Sequence, residues 1–452
     1  MGEIVSNIYT KPYEDRITVA VDLSSSQFRA VAALADDNGG IERILAVASV
    51  ASAGMSKGFI SNAEEAGKKL DELKKKISDN LSSLVFKDML QGEQKPNVVI
   101  KNCKVSLSGT IISRHISKSR NLNGEGISQA LVGDLYEQVK NTLASEWNDV
   151  FSINALEYNV DDEDTMTPVG AWGNNLISGK YLVLESKDIA RDNANWALGN
   201  VDSKFVLSGE ALAEVVLSEY DKECGCVLLD MGSCTTTVSV YYNKLLRHYR
   251  VLPFGGNIFT NDIKEVLSVS SGLAEELKKA MGFATASAEK CRGYVCVPKG
   301  EQGLTEEKKI NVKELARIIE ARVEEFLGYV EGEVCDGGVH NNYKVILAGG
   351  ATKLNRFRDK VKAFTGRDAE FCSVKQEYVD KYGKYFNSTN KIEDFSVCLG
   401  LLSGEHVSSV SFEKANNVTE AKPKQGKKNK INDWGKKLFD ILVNDEDESN
   451  DE

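Results

Sequence analysis

Residues 226–241 read CVLLDMGSCTTTVSVY, and residues 17–33 read ITVAVDLSSSQFRAVAA. Each stretch runs an apolar, β-branched segment into an aspartate, crosses a short turn of small residues, and returns as a second alternating segment. That is the pattern of a hairpin opening a domain. The carboxylates, Asp22 and Asp230, stand where the first strand of each pair ends. Behind them lie Ser24, Ser25 and Ser26 in one turn, and Gly232, Ser233, Cys234 and Thr235 in the other. Such small residues let backbone N–H groups turn toward a ligand. Clustered N–H groups make an anion-binding concavity, and an adjacent carboxylate holds a divalent cation, usually through water. Either loop alone reads equally well as an ordinary β-turn that contains aspartate. Two of them, far apart in one chain, read as a pair gripping the phosphates of one nucleotide.

Three further stretches carry the same theme. KVILAGGATKL (344–354) is a buried-type strand entering Gly349 and Gly350, with Ala351 at the start of a helix. Glycine permits close backbone approach to a ligand, and a helix N-terminus favours anions. VLPFGGNIFTNDI (251–263) places Gly255, Gly256 and Asn257 before a helix carrying Thr260 and Asp262. AEELKKAMGFA (274–284) is a short helix with Glu275 and Lys278 three residues apart on one face. That pair reads either as a solvated surface ion pair or as part of a site.

Composition narrows the function classes. The 452 residues, 42% hydrophobic and 27% charged, are ordinary for a globular protein of several packed units. Fifty-six basic against 67 acidic side chains leave a net charge of −11, so no nucleic-acid partner is expected, since phosphate binding needs a basic face. Nine cysteines without a C-x-x-C pair read as reduced thiols, mostly in the core. Four scattered histidines point to no zinc site. The start, MGEIVSNIYTKPYEDR, is acidic and broken by Pro12, unlike a secretory signal. Gly2 and Ser6 fit a myristoylation pattern that nothing else supports. No apolar run reaches the ~18 residues of a membrane span.

Near the C-terminus the composition shifts. NNVTEAKPKQGKKNK (416–430) is polar and lysine-rich, the profile of a flexible linker. INDWGKKLFDILV (431–443) then repeats Ile431, Trp434, Leu438, Ile441 and Leu442 at helical steps, with Phe439 beside them. This amphipathic segment suits a membrane surface, a partner protein, or the chain's own body. It is followed by the strongly acidic DEDESNDE.

The ordered set of motifs resembles the FtsA family of the actin/Hsp70/sugar-kinase superfamily, from about residue 16 to 405. Beyond the nucleotide loops, Gly54-Met55-Ser56-Lys57-Gly58 resembles the family's G-[MI]-x-K-G element, and Val105-Ser106-Leu107-Ser108-Gly109 its S-x-S-G strand end. Leu156-Glu157-Tyr158 with Thr167-Pro168-Val169-Gly170 is similar to its Q-E-Y…P-x-G segment. Leu252-Pro253 through Ile263 is similar to its P-x-G-G/N…T-x-D-I block. Two loops depart from the pattern. The family's D/E-x-G-T carries Ser24 at its glycine, and its D-I-G-G-G-T reads Asp230-Met231-Gly232-Ser233-Cys234-Thr235. Added Cβ atoms narrow the backbone's approach and restrict positive φ, so nucleotide binding is expected without efficient hydrolysis.

The resemblance implies an α/β, two-lobed actin-like ATPase fold with an FtsA-type inserted subdomain and a C-terminal amphipathic helix. Residues 1–15 would be an N-terminal extension, and 16–98 the first lobe, with 180–200 and 395–412. The inserted subdomain would span 99–179. The second lobe would span 201–257 and 341–394, with a further subdomain inserted at 258–340. A linker (413–430), the membrane-targeting helix (431–443) and an acidic tail (444–452) would follow. ATP and Mg would bind between the lobes. Asp22 and Asp230 would lie on the cation side, Gly255 and Gly256 beside the nucleotide, Glu275 and Lys278 toward ribose or adenine, and Gly349, Gly350 and Ala351 under the adenosine. The implied role is a division protein, not an enzyme, that polymerises and ties FtsZ filaments to the cytoplasmic face of the plasma membrane beside other membrane proteins of the division machinery. The acidic FtsZ C-terminal peptide would dock on the second inserted subdomain, with Arg317 and Arg322 as its candidate contacts. Other members of the superfamily offer two alternatives: an adaptor of a pilus-type machine, as in PilM, and a small-molecule kinase.

Overall fold

The computed structural model of the chain describes residues 17–36, 40–84, 102–144, 149–186, 190–199, 201, 203–288, 290–300, 306–338 and 343–403. The expected N-terminal extension, linker, amphipathic helix with Ile431 to Leu442, and acidic tail lie outside these residues.

Strands β1 (Ile17–Leu23), β2 (Gln27–Ala35) and β3 (Ile41–Ala51) form a meander, with Asp22 directly opposite Arg29 across the first turn. A small hairpin, β4 (Met55–Ser56) and β5 (Phe59–Ile60), leads into α1 (Ala63–Leu84). Its Leu70, Leu73 and Ile77 are buried, as their three-and-four spacing predicts. β6 (Asn102–Leu107) then lies parallel to β1. Next come β7 (Ile112–Asn121), β8 (Glu125–Gly126), α2 (Gln129–Ala144), β9 (Asp149–Val160), β10 (Glu163–Thr165), β11 (Trp172–Gly173) and β12 (Leu176–Ser186).

Helix α3 (Ala190–Ala197) precedes β13 (Ser203–Leu207), which completes a five-stranded sheet of order β13-β6-β1-β2-β3. Two helices follow, α4 (Ser208–Val216) and α5 (Glu219–Cys224). The second hairpin is β14 (Cys226–Met231) and β15 (Thr236–Tyr242), continued by β16 (Leu245–Leu252). Then come α6 (Asn257–Leu267), α7 (Ser271–Met281), the ribbon β17 (Tyr294–Val297) and β18 (Lys308–Asn311), and the long α8 (Val312–Asp336). Asn311 caps α8 by accepting from the backbone of Lys313 and Glu314, and Val312, Leu315, Ile319, Val323 and Phe326, spaced at three and four, are buried. β19 (Lys344–Ala348), α9 (Phe357–Thr365), β20 (Ala369–Phe371), α10 (Gln376–Tyr382) and α11 (Ser396–Ser403) close the described chain.

Central β14 lies between parallel β19 and antiparallel β15, and its two faces enter two cores, Cys226 and Leu228 one and Val227, Leu229 and Met231 the other, which is why its run is continuously apolar. The second sheet is larger than the two-lobe expectation. Its order is β10-β9-β12-β7-β16-β15-β14-β19-β20, so strands expected in a separate subdomain join the second lobe, through the single pair Arg250–Ile112. The expected boundaries at 99 and 179 also shift. β6 pairs with β1 and β13 in the first sheet, and β12 runs unbroken from Leu176 to Ser186. Long-range pairing sets both limits, and composition carries no trace of it.

Candidate functional site

A cleft of about 1020 Å³ opens between the lobes, and both aspartate-tipped turns line it. In the first turn, Asp22 is buried and accepts a hydrogen bond from Ser106 Oγ at 2.7 Å. The same hydroxyl accepts from Leu23 N at 3.0 Å. The parallel β1–β6 register brings Ser106 there from far along the chain. Across the hairpin, Arg29 sets its guanidinium 3.6 Å from the second carboxylate oxygen of Asp22 and donates to Ser24 Oγ at 3.2 Å. Ser24 in turn donates to Gln27 O at 2.6 Å, and Ser52 donates to Ser25 O at 2.6 Å. Burial raises the Asp22 carboxyl, against the lowering pull of Arg29 and Ser106. The Ser25 hydroxyl is buried on the cleft wall without a hydrogen-bond partner. An orphaned buried donor costs about 1–3 kcal/mol, a cost that a ligand oxygen would remove.

In the second turn, Asp230 is half-buried at the end of β14. Loss of solvent pushes its carboxyl up to about 6; the Asp22 charge adds to the rise and Arg29 opposes it. The two carboxylates therefore feel one another across the cleft. Gly232 N donates to Thr235 O at 2.9 Å and closes the turn. None of Ser24, Ser25, Ser26, Ser233, Cys234 or Thr235 has positive φ, so side chains at the family's glycine positions impose no backbone strain.

The turn is held from behind. Gly256 N donates to Gly232 O and Asn257 N to Ser233 O, both at 2.9 Å. A Cβ on Gly255 would lie 2.6 Å from Gly232 O, so the glycine is required by backbone contact. Gly255 and Cys234, both expected at a ligand, do not line the cleft. Gly255 is spent on bracing the loop, and the Cys234 sulfur lies 3.4 Å from Asn257 Nδ2. From the first lobe, Gly58 approaches the same loop, since a Cβ there would sit 2.8 Å from Thr235 Cγ2.

Gly349 (φ +84°) packs against the β14 end, whereas Gly350 faces open space. Both line the cleft with Ala351. Glu275 and Lys278 form an ion pair at 2.6 Å, with the Lys278 side chain only 12% exposed. Lys278 also donates to Thr260 Oγ1 (2.8 Å) and Gly256 O (3.0 Å), and Thr260 donates to Glu275 at 2.5 Å. Burial raises the Glu275 carboxyl, but the Lys278 and Thr260 hydrogen bonds outweigh it and hold it below its ordinary value. This is a wall of the cleft tying α6 to α7, rather than a solvated surface pair.

Arg322 is not a free contact for an acidic peptide. Its Nε and one terminal nitrogen hold the Asp262 carboxylate at 2.6 and 2.8 Å, and the other terminal nitrogen holds Glu325 at 2.7 Å. Arg317 is exposed on α8. Among the described residues no group of three or more His, Cys, Asp or Glu gathers for a metal. A divalent cation between Asp22 and Asp230 would therefore need further oxygens from water or phosphate.

Sequence reading passed over Arg29 and Ser208 and quoted Ser106 and Ser108 only as a strand-end motif, not as part of the site; the Ser108–Ser208 hydroxyl pair (2.8 Å) also lines the cleft. Counting back from the turn would have found Arg29, because a tight hairpin centred on Ser25 and Ser26 places residue 29 opposite residue 22.

Residues 227–394 match the family model described as cell division protein FtsA. Cell division protein FtsA of Escherichia coli (strain K12) is 25% identical over 363 residues, covering 76% of this chain and 81% of that protein. FtsA of Borreliella burgdorferi is 24% identical over 435 residues, covering 92% and 96%. Among solved structures, the PilM–PilN type IV pilus biogenesis complex matches with a TM-score of 0.53 at 14% identity, over 85% of this chain and 97% of that one. This last likeness concerns the fold, which is the two-lobed, actin-like one. Among the described residues no helix is long and apolar enough to cross a membrane. Through the match at 227–394 and through relatives that run along most of its length, the chain is similar to the FtsA cell division proteins.

Proposed function

We propose that the chain binds ATP and Mg²⁺ in the cleft, self-associates into filaments, and ties FtsZ polymers to the cytoplasmic face of the plasma membrane at the division site. The observation that supports the nucleotide reading best is the orphaned Ser25 hydroxyl beside the Asp22–Arg29 pair, on a wall shared with Asp230. The residues fit the ligand. Asp22 and Asp230 would hold the cation side through water. Ser25, Arg29 and the backbone of Gly232 to Thr235 would hold phosphate oxygens. Glu275 and Lys278 would face ribose or adenine, and Gly349 to Ala351 the adenosine. The nucleotide would supply negative charge that Arg29 and the cation neutralise, fixing lobe closure and so the protomer shape a filament repeats. Hydrolysis is not needed for that role.

In this reading the segment with Ile431, Trp434, Leu438, Phe439, Ile441 and Leu442 lies on the membrane. An amphipathic helix this short is marginal alone, so several copies on one polymer would provide firm attachment. With Arg322 engaged by Asp262, Arg317 is the remaining arginine candidate for the FtsZ peptide. Reconstitution tests the whole: FtsZ filaments should float with liposomes when the full chain and ATP·Mg are present. FtsZ left at the bottom of the gradient under those conditions would refute the tether.

A further inference from the structure

Strand β7 has two very different edges. On one, all its residues from Ile112 to Asn121 pair with β12. On the other it meets β16 at Ile112 alone, and the strands then splay apart. Side chains fill the root of the notch. Ser113 Oγ accepts from Tyr249 N at 3.3 Å and lies 3.0 Å from His248 Nδ1, whose Nε2 lies 2.8 Å from Glu333. His115 Nε2 lies 3.3 Å from Arg247 O. These contacts serve the backbone of β16. Beyond them, from Ile116 to Asn121, no described strand pairs with the outer edge of β7.

Other exposed edges are managed differently. On β3 the carbonyls of Ile41 and Val47 accept from Tyr382 Oη (2.8 Å) and Asn80 Nδ2 (3.0 Å). The outermost strands of the large sheet, β10 and β20, have three residues each, and β9 beside β10 also runs from Asp149 to Glu157 without a described strand on its outer edge. An edge of six residues without bulge or proline, unpaired by any described strand, is a template for strand addition.

Charge decides what fits. His115 and Lys118 stand on β7 and Arg247 on β16 beside the notch, Lys180 lies on β12 opposite Ser117, and Arg120 lies farther along β7. Partial burial, more than the nearby Lys180, His248 and Arg247, holds the His115 imidazole below its ordinary value. Lys180 and Arg120 have Glu157 (3.5 Å) and Asp134 (2.6 Å) as partners, while Lys118 and Arg247 have no ion-pair partner among the described residues. A second copy pairing through its own β7 would set these cations against each other, which is unfavourable. The geometry points to the Ile116–Asn121 edge as a docking site for an extended acidic segment of a partner protein, added as a strand beside β7. Backbone bonds would supply affinity and the surrounding cations the choice of sequence.

Fluorescence anisotropy with the full chain tests this, using a labelled peptide that alternates glutamate with valine and threonine. Saturable binding is expected, together with slowed amide exchange at 116–121. Lys118→Glu combined with Arg247→Glu should weaken binding by roughly tenfold. The same peptide N-methylated at alternate amides keeps its charge but cannot form a ladder, and should lose a similar factor against the unaltered protein. The proposal fails if the peptide does not bind, if a lysine analogue binds equally, if both changes are without effect, or if protection appears on α8 instead. Protection at 116–121 that grows with protein concentration and no peptide would assign the edge to a second copy and overturn it too. The cleft takes no part in these readouts, so failure here leaves the nucleotide reading intact.

Discussion

Gly349 lies so close to Asp230 that a Cβ on it would stand 2.6 Å from the carboxylate Oδ1 and 2.3 Å from Met231 O. Backbone at the end of β19 thus packs directly on the Asp230 carboxylate. Gly349 also combines a positive φ (+84°) with an extended ψ (160°), a region essentially reserved for glycine that costs about 1–3 kcal/mol for other residues. Gly349→Ala should lower the unfolding midpoint and weaken nucleotide binding. Gly350→Ala, with open space around it, should leave the midpoint near that of the parent. Thermal unfolding of both variants checks the contrast, and equal effects would contradict it.

The paired carboxylates predict an unusual pH response. Asp230 is pushed up to about 6 in the folded chain, and Asp22 is raised as well. A raised carboxyl stabilises the fold while protonated. That contribution is whole below the unfolded value near 4 and is lost as pH climbs through about 6. Without ligand, the parent should lose stability relative to Asp230→Asn between pH 5 and 7, measured by denaturant unfolding. Adding Mg²⁺ with nucleotide should narrow the difference at pH 7. An identical pH profile for parent and variant would count against the coupling.

Much of this site was legible in the sequence, and the limits have physical causes. The two hairpins, the glycine pair after β19 and the buried stripe of α8 are local patterns, and periodicity exposes them. Ser106 beside Asp22, Gly58 against Thr235 and the Asp262 clamp on Arg322 are contacts between distant segments. They depend on strand register and lobe packing, which no local window contains. Ser24 was read against a glycine pattern, yet the turn settles without positive φ and uses the hydroxyl to brace Arg29.

In the proposed reading Arg29, beside Asp22 on the cleft wall, is the cation that meets phosphate. Hydrogen bonds to charged groups contribute about 1.5–3 kcal/mol, so Arg29→Ala should weaken ATP·Mg binding by roughly tenfold to a hundredfold. Arg29→Lys keeps the charge and should recover part of the loss. Equal affinities for all three proteins, measured by calorimetry, would remove Arg29 from the site.

Truncation after Lys430 removes the amphipathic segment and the acidic tail. The shortened protein should stay with the unbound fraction in liposome flotation, while the full chain floats. Trp434→Glu in the full chain should behave as the truncation does. Equal flotation of all three would eliminate the membrane anchor.

The most direct measurement is a titration of a fluorescent ATP analogue into the full chain, with Mg²⁺ and with a chelator, repeated on Asp22→Asn and Asp230→Asn. Saturation at one site per chain is expected, weakened by the chelator and by either substitution. An absence of binding, or binding indifferent to magnesium and to both aspartates, would contradict the assignment of this cleft to nucleotide.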